Sequence, residues 1–353
     1  MSRKDKIVLA IMIMIGVCIF GYSLKGVPLY TILLDLKDMK WYWLIIAFCA
    51  MFISLVCEAW VVKYLLRKHY PDLTWRDALR IPMVEQLFNG ITPFASGGQP
   101  AQILALVQTG VEGGRAISIL LMKFIVYQTM IVVSFIICMV FGFHLIASKI
   151  HVMGVLLILG FLIHFSVIVG LLMLMYWNKF THKLMNLGLH PLKWLHNKNL
   201  YPKWKKKLDE KIDTFYQESL RLKKDKQTIL RISLITLIQL LFYYVIPYFI
   251  LLSLGVTHVN IFEVATLHVL IIMMVSLFPV PGGVGGAEFS FDVIFSLYIH
   301  SHSKLILAMI LWRIVTYYFG MFLGMIALVQ KPTKIKAVGL QQTNASKIEE
   351  IQE

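Results

Sequence analysis

Long apolar runs separated by short polar stretches make up most of this chain. A helix needs about 20 apolar residues to cross the hydrocarbon core of a bilayer, which is ~30 Å thick. The first run follows three basic residues, as in a signal peptide, but no small-residue cleavage site comes after it, so we interpret it as an uncleaved span. The runs predict about six full membrane spans: Ile7–Leu24, Trp41–Leu66, Ala116–Gly142, Val152–Trp177, Ile232–Leu254 and Lys304–Val329.

Two further apolar segments are interrupted by proline and glycine. Ile81–Gln108 contains the sequence NGITPFASGGQP, and Phe262–Ile299 contains FPVPGGVGGAEF. Proline and glycine at this density end a helix, and irregular backbone at membrane depth is tolerated only where protein or a water-filled cavity surrounds it. We therefore predict two broken, re-entrant helical hairpins, each of which returns to the side of the membrane from which it entered.

The distribution of basic residues predicts the orientation of the spans. Asn178–Thr228 carries 13 Lys and Arg against 5 Asp and Glu, and basic residues also flank the first and last spans. Because cytoplasmic loops are enriched in Lys and Arg, we expect Asn178–Thr228 and both termini to be cytoplasmic. The first hairpin then enters from the cytoplasm and the second from outside. Within Asn178–Thr228 we expect an amphipathic helix that lies along the inner leaflet.

The two broken segments also indicate an internal repeat. A P-x3-G-x3-A pattern that begins at Pro93 recurs at Pro279, an offset of 186 residues that also superimposes the flanking spans. The sequence thus predicts an all-α polytopic membrane protein with an inverted repeat, a plan that recurs in transporters; chance similarity of two glycine-rich hairpins stays open. The predicted organisation is a transmembrane domain over 1–330, with repeat A at about 41–142, a basic segment at 178–228 and repeat B at about 227–329, followed by a polar cytoplasmic tail at 331–353.

Composition and charge agree with a membrane protein. The chain is 58% hydrophobic and 15% charged, against about 45–50% and 25% in ordinary globular domains. This balance excludes a disordered chain and a nucleic-acid-binding domain, and it disfavours a soluble enzyme. The chain has a net charge of +15, and its basic residues lie mostly between the apolar runs. This placement favours an anionic membrane surface as partner. The four cysteines have no metal or disulfide spacing, and we expect no metal site and no cofactor.

Charged residues inside apolar runs point to the chemistry of the protein. Such charges are costly in a bilayer and usually mark functional sites. Arg313 is our strongest candidate, and the repeat brings it close to Lys123, so that two cations approach one centre. A structural pairing of Glu58 with Lys123 is the alternative for those residues, and Glu85 is a further charged candidate. The glycine pairs at both hairpin tips can present free N–H groups to an anion such as a lipid phosphate.

The motifs of both hairpins resemble the transmembrane region of lysylphosphatidylglycerol synthases. The matching segments are 89–93 (NGITP) with 97–100 (GGQP), then 279–288 (PVPGGVGGAE), and then Arg313 shortly before two tyrosines. The resemblance extends from Ile7 to Val329 and implies the lipid-translocating, flippase-like module of that family, as a stand-alone member without the soluble synthase domain. One departure is that the family often has an acidic–basic pair after the first motif, where this chain has Met122-Lys123.

Residue chemistry and resemblance together give one candidate lipid-binding set and no catalytic residue. The set is Arg313, Arg115, Lys123, Glu58, Asn89, Gly97, Gly98, Gln99, Gly282, Gly283, Gly285 and Glu288.

We expect a lipid flippase-like transporter in a bacterial-type cell membrane, which moves a phospholipid or a modified lipid of the aminoacyl-phosphatidylglycerol or glycolipid type between leaflets. Two alternatives stay open: an enzyme that transfers a lysyl or aminoacyl group to phosphatidylglycerol, and a scaffold subunit for a separate synthase. The expected partner is an anionic or zwitterionic phospholipid. A separate lipid synthase and a second copy of the chain are further candidate partners, and nucleic acid is not expected.

Overall fold

The protein is helical throughout the part of the chain that its computed structural model describes, residues 29–147, 154–177, 214–296, 298–335 and 337. The predicted first span, most of the basic segment 178–228 and the tail beyond residue 337 lie outside these residues. The α-helices are α1 Leu29–Lys37, α2 Trp41–Leu66, α3 Trp75–Ile91, α4 Gly98–Gln108, α5 Gly113–Ala147, α6 Gly154–Tyr176, α7 Lys226–Tyr244, α8 Ile246–Ser253, α9 Ile261–Val275, α10 Gly286–Phe295, α11 His302–Arg313 and α12 Phe319–Val329.

Five helical stretches among the described residues are long and apolar enough to cross a membrane. They are Trp41–Leu66, Gly113–Phe141, Gly154–Tyr176, Lys226–Ser253 and His302–Val329. They confirm the five predicted spans that fall on described residues, with ends that differ by a few positions. The fourth stretch contains the short break between α7 and α8, and the fifth contains a π-helical turn at Ile314–Tyr318 between α11 and α12. The protein is therefore a polytopic, all-helical membrane protein.

Both segments predicted to be broken form helix–turn–helix hairpins. The first consists of α3, a 3₁₀ turn at Pro93–Ala95 and α4, and the second of α9, a 3₁₀ turn at Pro281–Gly283 and α10. The backbone enters the left-handed region at Phe94 (φ 52°) in the first tip and at Gly282 (φ 63°) in the second. The two tips contact each other, so each surrounds the irregular backbone of the other with protein.

The hairpin tips correspond in a register that differs by two residues from the one the sequence predicted. Pro93 and Pro281 each begin a 3₁₀ turn, and Gly98 and Gly286 each begin the returning helix, so the offset at the tips is 188 rather than 186. The shared pattern is P-x3-G-G. The prediction paired Pro93 with Pro279 because FPVP offers two prolines, and only the second one starts the turn. The inverted orientation of the two halves stays a prediction.

Among the described residues, the apolar core forms two clusters that share α2, α5, α6 and α7. The N-terminal half of α2 belongs to the cluster that also contains residues of α8, α9, α10 and α11, and its C-terminal half belongs to the cluster that contains residues of α3 and α4. The last helix, α12, lies so close to α3 that a Cβ added at Gly324 would come 2.4 Å from the carbonyl oxygen of Met83. This is the close backbone approach that small residues allow between membrane helices. The two clusters leave a polar space between them at the hairpin tips.

Candidate functional site

A cavity of about 570 Å³ lies where the two hairpin tips meet the surrounding spans. Helices from both halves of the chain line it, and its apolar wall is interrupted by a group of polar side chains, several of which lie within the candidate membrane spans. These lining side chains include Glu58, Glu85, Asn89, Gln99, Lys123, Tyr127, Gln128, His164, Gln239, Tyr243, Arg313 and Tyr317.

Lys123 lies at the centre of a buried ionic cluster. Its Nζ donates to Oε2 of Glu85 at 3.0 Å and also to Oε1 of Glu58. The remaining carboxylate oxygens accept from side-chain amides, Glu85 from Gln99 at 2.9 Å and Glu58 from Gln239 at 3.4 Å. We call these five residues the Lys123 cluster; it joins α2, α3, α4, α5 and α7. The acid that the sequence lacks beside Lys123 is thus supplied by two other helices.

Arg313 forms a second polar centre in the same cavity. Its Nε donates to Oε1 of Glu288 at 2.7 Å, and its Nη1 donates to the carbonyl oxygen of Gly282 at 3.0 Å. The guanidinium carbon lies 5.4 and 5.3 Å from the ring centres of Trp312 and Tyr317. Nη2 is buried and has no hydrogen-bond partner among the described residues, although the side chain is only 9% exposed. A guanidinium held on two sides therefore keeps one donor open.

The π-helical turn that follows Arg313 helps to place it. Such insertions into a helix are frequently found at functional sites. Tyr317, within this turn, donates from its hydroxyl to the carbonyl oxygen of Gly90 in the first hairpin at 2.9 Å. A Cβ added at Gly282 would lie 2.3 Å from the Tyr317 ring. The tyrosine ring is thus packed directly against the second tip while its hydroxyl holds the first.

Glu288 has two roles at the start of α10. One carboxylate oxygen binds Arg313, and the other accepts the backbone N–H of Gly285 at 2.6 Å, which caps the helix. Gly285 adopts a φ of 85° that only glycine tolerates readily. The negative charge of Glu288 therefore stabilises both the positive N-terminal end of α10 and the guanidinium of Arg313.

The structure gathers seven of the twelve candidate residues around the cavity: Glu58, Asn89, Gln99, Lys123, Gly282, Gly283 and Arg313. Gly97 and Gly98 instead face the side chains of their own hairpin. A Cβ at Gly98 would lie 2.0 Å from Oδ1 of Asn89, and one at Gly97 would lie 2.6 Å from Cγ2 of Thr92. The tight turn by itself accounts for both glycines, and lipid contact by any of the twelve residues stays a prediction.

Arg115 belongs to a different part of the molecule. It lies near the start of α5, with its Nε 3.6 Å from a carboxylate oxygen of Glu218 in the helical segment 214–224. Glu218 is buried and also pairs with Arg221, and Ser118 and Ser219 lie within hydrogen-bonding distance of each other nearby. These contacts join the segment 214–224 to α5, and none of these residues lines the cavity.

Several polar lining residues were absent from the candidate set, among them Glu85, Gln128, His164 and Gln239. The charge of Glu85 inside the first broken segment marks it as a candidate, and this was the feature of the sequence that could have placed it in the set. Gln239 and His164 are isolated polar residues in apolar runs, and an isolated polar residue gives no indication of its partner. His164 is 7% exposed, its Nδ1 lies 2.9 Å from Oε1 of Gln128, and its Nε2 has no hydrogen-bond partner among the described residues.

The packing of Tyr317 on Gly282 predicts a specific cost for a methyl group at this position. Gly282→Ala should be destabilised by left-handed backbone strain of ~1–2 kcal/mol and by a further ~1–3 kcal/mol of overpacking. Gly255→Ala is the matched control, because Gly255 also has a positive φ but has no atom within 4 Å of an added Cβ. Thermal unfolding in detergent measures both variants. Equal losses of stability would contradict the proposed contact between the tip and Tyr317.

Two comparisons with known proteins connect this architecture to a family. Residues 7–324 match the family model described as the lysylphosphatidylglycerol synthase TM region. A UPF0104 membrane protein of Archaeoglobus fulgidus is 26% identical over 319 residues, which cover 87% of this chain and 92% of that protein. The resemblance seen in the hairpin motifs is therefore confirmed over most of the sequence, and the chain belongs to the family of the lysylphosphatidylglycerol synthase transmembrane region.

Proposed function

We propose that this protein is a lipid flippase-like transporter of a bacterial-type cell membrane, which moves a phospholipid or a modified lipid of the aminoacyl-phosphatidylglycerol or glycolipid type between leaflets. The observation that carries the proposal is the open Nη2 of Arg313 in a polar cavity at the tips of two broken hairpins. Broken helices around a site at membrane depth are the arrangement on which many transporters are built. Membership of a family named for a lipid supports a lipid cargo.

The size of the cavity suits a lipid headgroup. At about 570 Å³ it falls within the roughly 300–1,000 Å³ of typical small-molecule sites. Two apolar side chains that line it, Phe94 and Ile163, are 63% and 39% exposed at the protein surface. A lipid can therefore place its headgroup among the polar residues while its acyl chains remain outside, against apolar side chains.

The charges favour Arg313 over Lys123 as the contact for the lipid phosphate. The ammonium of Lys123 already faces two carboxylates, whereas the guanidinium of Arg313 faces one carboxylate within the described part of the chain, that of Glu288. Hydrogen bonds between guanidinium and phosphate are charge-assisted and directional. With Nε and Nη1 engaged, Nη2 is positioned to donate to a phosphate oxygen that enters the cavity.

The orientation with cytoplasmic termini belongs to the same proposal and predicts a labelling pattern. In a cysteine-free background, a membrane-impermeant thiol reagent added to intact cells should label His300→Cys, which lies before α11 in a region of low charge. It should not label Lys68→Cys, which lies in the basic loop after α2. Both positions are exposed, so accessibility within the protein does not distinguish them. Labelling of Lys68→Cys alone would reverse the orientation.

Arg313 variants should separate lipid binding from a purely structural ion pair. In proteoliposomes that contain phosphatidylglycerol with a fluorescent acyl label, Arg313→Gln should lower the translocation rate by about tenfold or more, which corresponds to the loss of one charge-assisted hydrogen bond of ~1.5–3 kcal/mol. Arg313→Lys should retain part of the rate, because lysine binds phosphate as a point charge but lacks the fork of donors.

The control for this experiment is the double variant Arg313→Gln/Glu288→Gln. If Arg313 serves only to neutralise Glu288, removing both charges restores stability and translocation together. If Arg313 contacts the lipid, the double variant stays slow even when its thermal stability is normal. Recovery of the wild-type rate would therefore contradict the proposed role. Formation of a new aminoacyl lipid, without movement of the probe, would instead favour the transferase alternative.

A further inference from the structure

The buried charges around the cavity do not balance. Among the described residues, Glu58 and Glu85 are carboxylates that share a single ammonium group, that of Lys123. The other cation, Arg313, has its own carboxylate partner in Glu288. With every group in its ordinary ionised form, the Lys123 cluster therefore carries one excess negative charge, although Lys123, Glu58 and Glu85 are each less than 9% exposed. A buried, uncompensated charge is unfavourable and calls for a bound positive species.

The hydrogen bonds of the cluster favour a proton over a metal cation. Each of the four carboxylate oxygens already accepts from Lys123, Gln99 or Gln239. A metal cation needs several oxygen ligands at once and would have to take them beside the positive ammonium group of Lys123. A proton needs only one lone pair. Glu58 and Glu85 both bind the Nζ of Lys123, which brings the two carboxylates to one centre, and a proton on one of them would remove the excess negative charge.

His164 is a second buried titratable group that lines the cavity. It lines the same cavity from α6, away from the residues of the cluster, and is 7% exposed. Its Nδ1 donates to Oε1 of Gln128, which leaves Nε2 of the neutral ring as a buried acceptor without a partner among the described residues. A water molecule or another proton donor in the cavity would satisfy this nitrogen.

We propose that the Lys123 cluster is a proton-binding site whose occupancy is linked to the transport cycle. A proton from water in the cavity forms an O–H bond with Glu58 or Glu85, and the resulting carboxylic acid donates a hydrogen bond to the other carboxylate. Release returns the proton to water and restores both carboxylates. The binding of the proton stands on the geometry alone, whereas its link to transport rests on the proposed lipid-translocating function.

A titration of the Lys123 cluster must be distinguished from the titration of other ionisable groups that line the cavity. Tyr127 on α5, Tyr243 on α7, His164 on α6 and Tyr317 in the π-helical turn are the titratable neighbours among the described lining residues, and Arg313 on α11 is neutralised by Glu288. From α4 only the uncharged Gln99 reaches the cavity. The carbonyl stretch of a protonated carboxyl group is separate from the signals of tyrosine and histidine, so infrared difference spectroscopy reports the cluster directly.

The test of proton binding uses the full-length protein in detergent, titrated across the pH range in which it remains folded. Wild type should show the signal of one buried carboxylic acid. Glu58→Gln and Glu85→Gln should each lose it, because the remaining carboxylate is then balanced by Lys123. Glu112→Gln is the matched control, since Glu112 is 50% exposed and lies outside the cavity, and this variant should keep the signal. A wild-type protein without the signal, or single variants that retain it, would overturn the proton site.

The link to transport is tested separately in proteoliposomes with fluorescent phosphatidylglycerol. For one proton per lipid, a gradient of about one pH unit should shift the steady-state distribution of the probe between leaflets by up to about tenfold. Glu85→Gln should not respond to the gradient. Translocation that ignores the gradient, or that requires sodium ions instead, would overturn the coupling. An infrared signal without any translocation would instead overturn the transport function and leave the proton site standing.

Discussion

The central constraint on this protein is that broken backbone at membrane depth must be enclosed by protein. Both hairpins lose helical hydrogen bonds at their tips, where prolines and residues with positive φ reverse the chain. The tips meet each other, and two side chains from the last span hold them. Tyr317 donates to the carbonyl oxygen of Gly90, and Arg313 donates to that of Gly282. The polar side chains that satisfy this irregular backbone also line the cavity in the middle of an apolar protein.

The same constraint explains why the charges lie where they do. Each cation in the cavity is held by at least one carboxylate, as buried charges require. The arrangement is nevertheless incomplete in two places, since Arg313 keeps an open donor and the Lys123 cluster has one carboxylate more than it has cations. A site that binds and releases an anionic headgroup needs an open hydrogen-bond donor, such as Nη2 of Arg313. A site that exchanges a proton needs a carboxylate that the cations of the protein do not balance.

The sequence predicts the features that depend on local composition. The five described spans and both hairpins follow from the lengths of the apolar runs and from the positions of proline and glycine, and the hairpin motifs identify the family. Most contacts between distant residues do not follow in this way. The pairing of Lys123 with Glu58, 65 positions away, was one of the two interpretations the sequence offered, but periodicity does not specify that Glu85, 38 positions away, shares the same ammonium group. The register of the repeat differs by two residues from the predicted one, because Pro279 and Pro281 each begin a P-x3-G pattern. Only the backbone identifies the proline that begins the turn.

The central claim is that a lipid phosphate contacts Nη2 of Arg313. Solid-state nuclear magnetic resonance of the protein in phosphatidylglycerol bilayers tests this directly, through the dipolar coupling between lipid ³¹P and arginine side-chain ¹⁵N. We predict a coupling that corresponds to a distance of about 4 Å, as expected for a guanidinium–phosphate hydrogen bond, and that disappears in Arg313→Lys. A coupling that persists in Arg313→Lys, or the absence of any short coupling in wild type, would contradict the account.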